Sequence, residues 1–270
     1  MLRITPKRSR ILNVNITFWT YYFMSIQKFT GLVRRCVEDY NMIEDGETVA
    51  IGLSGGKDSL ALLCALASLR GYYPKKFKLH AVTLSMGLDG MDFSRISELC
   101  DDLEVPFTLK QTDIGRVIFE ERKEKNPCSL CAKMRRGAIG DMITELGIKK
   151  IALAHQYDDA VETFLLSLVF EGRLNCFRPV TYLDRTDITQ IRPMLYVSES
   201  TVIKLVEKEK LPVVHNTCPM NGYSKREEIK VLLRTLSADY PDLKSKIFGA
   251  MQRLPLEGWE PEEYARRPLP

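Results

Sequence analysis

The stretch that most constrains this chain is Val49-Ala-Ile-Gly-Leu-Ser-Gly-Gly-Lys-Asp-Ser-Leu60. Val49 to Leu53 is an apolar run of the length expected for a buried strand. Leu60-Ala-Leu-Leu-Cys-Ala-Leu-Ala-Ser-Leu69 is built of strong helix formers and predicts a helix. Between them, Ser54, Gly55, Gly56, Lys57, Asp58 and Ser59 make a short polar turn. Strand, glycine turn and helix together form an anion site. Adjacent glycines permit positive φ and close backbone approach, and the free N–H groups at the helix start attract phosphate. Lys57 adds a mobile positive charge, and Ser54 and Ser59 add hydroxyl donors.

The turn lacks the first glycine of the common G-x-x-x-x-G-K-[ST] loop. Ser-Gly-Gly-Lys-Asp-Ser instead resembles the PP-loop of the ATP-pyrophosphatase family. That resemblance implies ATP as a ligand, cleavage between its α and β phosphates, and adenylation of a substrate. The alternative is a glycine turn with no ligand, against which the six-residue match in a strand–helix setting weighs.

At 270 residues the chain is long enough for one large domain or a domain with a small appendage. Net charge is +4, and Arg3, Lys7, Arg8 and Arg10 supply as much by themselves, so the remainder is close to neutral. A nucleic-acid partner therefore needs a local basic patch and not a global field. Seven cysteines, an odd number, do not suggest a secreted disulfide framework.

Residues 1–23 join a basic start to the apolar Ile11–Phe23. Asn13 and Asn15 interrupt that run, no small-residue cleavage site follows, and it is too short to span a bilayer. Met24 reads as a natural beginning, so 1–23 is expected to be a tail or an upstream extension. Residues 24–254 are expected to form a single domain with peripheral helices, and 255–270 a flexible C-terminal tail.

Within 24–254, helical spacing predicts helices at 29–40, 93–103, 114–124, 127–146, 158–170 and 198–210, and two more from about 225 and 242. Strands are expected at 77–84, 106–111 and 151–154, with a hairpin or added edge across 181–191. Alternation of strands and helices predicts an α/β fold, a parallel twisted sheet with helices on both faces. Ligands of such sheets bind outside the carboxyl ends of the strands. Ser54–Ser59, Ser85 after the second strand and His155 after the fourth all fall on that edge.

Two further constellations carry chemistry. Cys128 and Cys131 follow Pro127 at a helix start, where the dipole lowers thiol pKa. A zinc knuckle commonly takes two such pairs, and only one is present. Cys218, in Asn216-Thr-Cys-Pro-Met-Asn, is a candidate third thiolate, with Cys176 as its rival. Three thiolates suit a cubane iron–sulfur cluster with one iron left open, while half of a zinc site or a redox pair are the alternatives. Cys36, Cys64 and Cys100 lie within helices and read as core. The other constellation is His155-Gln-Tyr-Asp-Asp-Ala-Val-Glu162. Asp158, Asp159 and Glu162 in a first helical turn could serve only the dipole, but their place on the same sheet edge allows them to hold Mg²⁺ on ATP.

Taken in order with Pro127-Cys-Ser-Leu-Cys-Ala-Lys-Met-Arg-Arg-Gly137, Ile191-Arg-Pro-Met194 and the late Cys218, these motifs resemble the TtcA family of tRNA 2-thiocytidine synthetases over roughly Met24 to Leu254. The related 2-thiouridine synthetases of the TtuA type share the core motifs but usually add paired-cysteine modules at both ends, which this chain lacks. Two departures stand out: Ala154 precedes His155 where relatives often have glycine, and Cys218 stands alone where relatives have a second C-x-x-C.

The resemblance implies an adenine nucleotide alpha-hydrolase-like fold and a cytoplasmic enzyme that replaces the C2 oxygen of cytidine 32 by sulfur, releasing AMP and pyrophosphate. It implies ATP held by Ser54, Gly55, Gly56, Lys57, Asp58, Ser59, Ser85 and His155, with Lys57, Asp58, Asp158 and Asp159 catalytic and Mg²⁺ on the acids. It implies a [4Fe-4S] cluster on Cys128, Cys131 and Cys218, and tRNA as partner on Lys133, Arg135, Arg136, Arg173 and Arg178. It also implies a sulfur donor such as a cysteine desulfurase, and leaves a homodimer open. The alternatives are a 2-thiouridine synthetase, a PP-loop ligase acting on a small molecule with zinc on its cysteines, and a nucleotide-binding redox sensor with a Cys128–Cys131 disulfide.

Overall fold

The computed structural model describes residues 16–88, 90–122, 127–214, 217–218, 220 and 225–253, with side chains from residue 26 onward. The sequence expectations for 1–15 and 255–270 lie outside the described residues. Among the described residues the order is α1 (Ile16–Asp39), β1 (Thr48–Gly52), α2 (Lys57–Arg70), β2 (Lys78–Ser85), α3 (Ser94–Asp102), β3 (Phe107–Gln111), α4 (Ile114–Arg116), α5 (Pro127–Glu145), β4 (Lys150–Ala152), α6 (Tyr157–Leu166), β5 (Val180–Leu183), β6 (Ile188–Ile191), α7 (Glu199–Glu209), α8 (Lys225–Asp239) and α9 (Leu243–Arg253).

The six strands form one sheet in the order β3-β2-β1-β4-β6-β5. Five run parallel, and β5 pairs antiparallel with β6 at one edge. That antiparallel strand is the hairpin expected across 181–191. Its turn holds Asp187 at φ 52°, and the Tyr182 hydroxyl donates to the Asp187 carboxylate at 3.0 Å. After β3 the chain returns to the far side of β1, so the strand order reverses between β1 and β4. Ligand crevices of open α/β sheets form at such a reversal.

β1 explains why helices cover both faces. Val49 and Ile51 enter the large core with α1, α2 and α7, while Ala50 faces the smaller core of Val82, Met142, Ile143, Ile151 and Ile188 beneath α5. Alternating side chains of a single strand thus feed two apolar layers. α2 is buried along almost its whole length, Leu60, Leu62, Leu63, Leu66 and Leu69 included, because α1 and α7 both pack on it.

Several boundaries differ from the sequence expectation. The helix read at 29–40 belongs to a longer one, Ile16–Asp39. α2 begins at Lys57, three positions before the leucine-rich run, so half of the Ser54–Ser59 segment is already helical. The helices expected at 114–124 and 158–170 each pass into a π-helical turn, at Val117–Glu121 and Ser167–Glu171, and the second stops at Gly172 with φ 65°. Cys36, Cys64 and Cys100 are buried, as read from the sequence. No helix among the described residues is long and apolar enough to cross a membrane.

Candidate functional site

The loop after β1 is held open by its own backbone. Gly55 has φ +82°, and a Cβ there would stand 3.0 Å from Cβ of Val214 and 3.4 Å from the Phe93 ring. The Val214 N–H donates to the Gly55 carbonyl at 2.9 Å, which fixes the direction of that carbonyl. Ser59 donates to the Gly56 carbonyl at 2.9 Å and accepts from the Ser54 N–H at 3.2 Å, so the two serines brace the turn. Gly56 opens α2 with no side-chain cap, which leaves the first amides of the helix to an anion.

Lys57 lies at the mouth with Asp58 Oδ2 at 2.8 Å and Glu199 Oε1 at 3.0 Å. Burial alone would lower the ammonium pKa, but hydrogen bonds and charge from Asp58 and Glu199 outweigh it and hold Lys57 above the ordinary lysine value. Burial pushes the Asp58 carboxyl up, Lys57 opposes, and Asp159 and Glu199 add to the rise. Asp58 Oδ1 is buried and has no hydrogen-bond partner.

The acids of α6 meet this cluster from the other side of the strand reversal. Asp158 is buried, and both of its oxygens are engaged, Oδ1 by Lys244 at 2.6 Å and Oδ2 by the Glu199 N–H at 2.7 Å. Asp159 accepts from the Gln156 N–H at 3.0 Å and from Arg226 at 3.0 Å. Arg226 also bonds Thr163 at 3.0 Å and lies 3.6 Å from Glu162. Glu162 is buried, which pushes its carboxyl up to about 7. Asp158 therefore joins α6 to the starts of α7 and α9, and of the three aspartates expected to hold a metal only Asp58 keeps an unengaged oxygen.

His155 stacks against Phe177 with ring centroids 4.8 Å apart, and Arg192 lies over the same Phe177 ring at 5.0 Å. Burial, with the charges of Arg192 and Arg226, pushes the imidazole down to about 4, so it is neutral at pH 7. Its Nδ1 is buried without a partner. Ser85 ends β2 on the expected edge, but its hydroxyl accepts from the Gly87 N–H at 3.3 Å and its carbonyl from Thr112. It shapes the turn that leads toward Gly90.

The cysteines divide as two groups. Cys128 is exposed at the start of α5, and Cys131 and Cys218 are half-buried. Burial raises the Cys131 thiol, the charges of Cys218 and Cys128 raise it further, and Arg135 opposes. The fold thus brings Cys218 into the electrostatic field of the C-x-x-C pair. The rival Cys176 faces elsewhere: its thiol lies 3.5 Å from the Ala160 carbonyl, and burial pushes it up to about 12. Among the described residues no three His, Cys, Asp or Glu side chains converge on a single ion. Val214 lies on Gly55 of the phosphate loop, and the Thr217 methyl is 3.6 Å from where a Cβ of Gly90 would be.

Sequence reasoning missed Glu199, Arg226 and Lys244. Glu199 is the first residue of α7, after Ser198, whose hydroxyl accepts from the Thr201 N–H at 3.3 Å. That cap marks where α7 begins, yet nothing local says which lysine its first acid meets.

A protein-family match, described as a PP-loop domain, covers residues 27–231. The tRNA-cytidine(32) 2-sulfurtransferase of Syntrophotalea carbinolica is 37% identical over 232 residues, 85% of this chain and 88% of its own length. That of Geobacter sulfurreducens is 36% identical over 228 residues, 83% and 89% of the two chains. Among solved structures, the U34-tRNA thiolase NcsA of Methanococcus maripaludis, solved with its [4Fe-4S] cluster, superposes with a TM-score of 0.69 over 88% of this chain and 81% of that one. At 22% identity that last likeness is one of fold.

Proposed function

The chain belongs to the PP-loop family of tRNA-cytidine(32) 2-sulfurtransferases, and from that premise we propose that it thiolates tRNA at the expense of ATP, exchanging the C2 oxygen of cytidine 32 for sulfur. The observation that carries this reading is the hydrogen bond from the Val214 N–H, four residues before Cys218, to the Gly55 carbonyl of the phosphate loop.

The chemistry needs both activation and sulfur insertion. A ring carbonyl oxygen is a poor leaving group. Its attack on the α-phosphate of ATP forms a P–O bond, breaks the α–β phosphoanhydride and releases pyrophosphate, leaving AMP esterified to the base. Replacement by sulfur at C2 then expels AMP. The Lys57 ammonium and the uncapped amides at the start of α2 offset charge on the phosphates as the anhydride breaks. Mg²⁺, brought by ATP, would find the buried, unpartnered Oδ1 of Asp58 beside them. Neutral His155 offers Nδ1 as a hydrogen-bonding group that carries no charge.

The donor set fits an iron–sulfur cluster. Burial, with the charges of Cys218 and Cys128, raises the Cys131 thiol, and a cationic cluster core beside it would relieve that cost. Cys128, Cys131 and Cys218 would hold the cluster, which would supply the sulfur for the activated base. Cys176, with its thiol against a backbone carbonyl of α6, is set aside as a ligand.

Lys133, Arg135 and Arg136 are exposed on the helix that starts with the cysteine pair, and Arg173 and Arg178 are exposed after α6. They are the cations that would contact the tRNA backbone. The reaction would take place in the cytoplasm with a cysteine desulfurase as sulfur source. The test is release of AMP and pyrophosphate by the anaerobically reconstituted protein. Turnover should require unmodified tRNA and fall when cytidine 32 is replaced by uridine. Equal turnover on the two tRNAs would contradict the assignment.

A further inference from the structure

Lys57, the lysine of the phosphate loop, is held by a carboxylate that lies outside every motif. Glu199 Oε1 lies 3.0 Å from its Nζ, and Asp58 Oδ2 lies 2.8 Å away on the other side. An ammonium has three N–H donors, so two carboxylates fix its direction and leave one donor for a phosphate oxygen. Asp58 is the next residue along the chain and moves with Lys57. Glu199 belongs to α7, an independent element, and among the described residues it is the carboxylate that relates the ammonium to another part of the fold.

Glu199 is itself held in place. Its backbone N–H donates to Asp158 Oδ2 at 2.7 Å, and Asp158 Oδ1 is paired with Lys244 of α9 at 2.6 Å. The sequence of contacts is Lys244 to Asp158, Asp158 to the Glu199 amide, and the Glu199 carboxylate to Lys57. Asp158 is buried, so the carboxylate at the middle of this line is largely shielded from water.

We propose that Glu199 is the positioning residue for Lys57, aiming its free donor at the phosphates of bound ATP, and that Lys244 on α9 sets the stance of Glu199 through Asp158. Neither residue touches the reacting atoms. The inference rests on the reading of the site as an ATP-dependent adenylating centre and names how that centre is kept in register.

The experiment measures ATP- and tRNA-dependent pyrophosphate release, nucleotide affinity and thermal midpoint for the wild type, Glu199→Gln, Lys244→Met and the double variant. E199Q keeps the shape of the side chain and removes its charge. It is expected to lower kcat 10- to 100-fold while the affinity for ATP changes less than about 3-fold. K244M is expected to lower kcat by a smaller factor, about 3- to 10-fold, in the same manner. The two losses share one route, so the double variant should lose no more than E199Q alone. A purely structural role for Lys244 would instead show multiplied losses and a lowered midpoint. Full kcat in E199Q, or losses that multiply, would overturn the proposal. If E199Q does not fold, K244M decides by its own split between kcat and ATP affinity: a fall in kcat at unchanged affinity sustains the proposal, and wild-type kcat overturns it. Wild-type protein that releases no pyrophosphate with any tRNA would fault the underlying functional reading and not this inference.

Discussion

The Val214 N–H donates to the Gly55 carbonyl at 2.9 Å, and the Val214 side chain fills the space where a Cβ on Gly55 would go. One backbone contact thus ties the phosphate loop to Val214. Gly55→Ala should disturb both. Alanine at φ +82° costs about 1–2 kcal/mol, and displacement of Val214 adds to it. We expect a drop of roughly 2 kcal/mol in urea unfolding and a larger loss of ATP-dependent activity than of tRNA affinity. Wild-type stability in G55A would contradict this account of the loop.

The cysteine assignment predicts a division among single variants. Cys128→Ala, Cys131→Ala and Cys218→Ala should each lower the iron bound after anaerobic reconstitution and the absorbance of the cluster. Cys176→Ala should keep iron near the wild-type level. Loss of iron in C176A with retention in C218A would exchange the two residues.

How far was this legible in the sequence? The phosphate loop was, because its chemistry is local: two glycines, a lysine and a helix start lie within six residues, and Gly55 does adopt the positive φ that only glycine takes easily. The parallel sheet and the edge hairpin followed from alternation and turn residues. What escaped was set by tertiary contact. Lys244 and Asp158 are 86 residues apart, and Arg226 and Asp159 are 67 apart, and such ion pairs leave no mark on local spacing. Asp158 and Asp159 looked alike in sequence, yet Asp158 ties three helices together while Asp159 faces Arg226. The π-helical turns after α4 and α6 likewise had no signal in the propensities.

Buried Glu162 and half-buried His155 give opposite pH signatures. Burial raises Glu162 from 4.5 to about 7, so its contribution to stability is present below 4.5 and is lost as the pH rises through 7. Glu162→Gln should therefore gain on the wild type by roughly 1–2 kcal/mol between pH 5 and pH 8.5. His155 is lowered from 6.5 to about 4, so its contribution is present above 6.5 and is lost as the pH falls through 4. His155→Asn should flatten the acid side of the stability profile. Urea unfolding at four pH values measures both, and parallel profiles for variant and wild type would refute them.

The cations of α5 predict a salt effect. If Lys133, Arg135 and Arg136 meet phosphates, replacing any one by alanine should weaken all tRNAs about equally and reduce the slope of log affinity against log salt by roughly 0.7–0.9. Filter binding across a salt series measures it. An unchanged slope would place the tRNA on another face.

The central claim is that one site activates cytidine and delivers sulfur to it. The most direct measurement is nucleoside mass spectrometry of tRNA digested after incubation with anaerobically reconstituted protein, ATP, Mg²⁺ and sulfide. The account predicts 2-thiocytidine that disappears with Cys218→Ala and with Lys57→Ala. A 2-thiouridine product would preserve the chemistry and contradict the substrate, and the absence of any thiolated nucleoside from cluster-loaded, tRNA-binding protein would contradict the account as a whole.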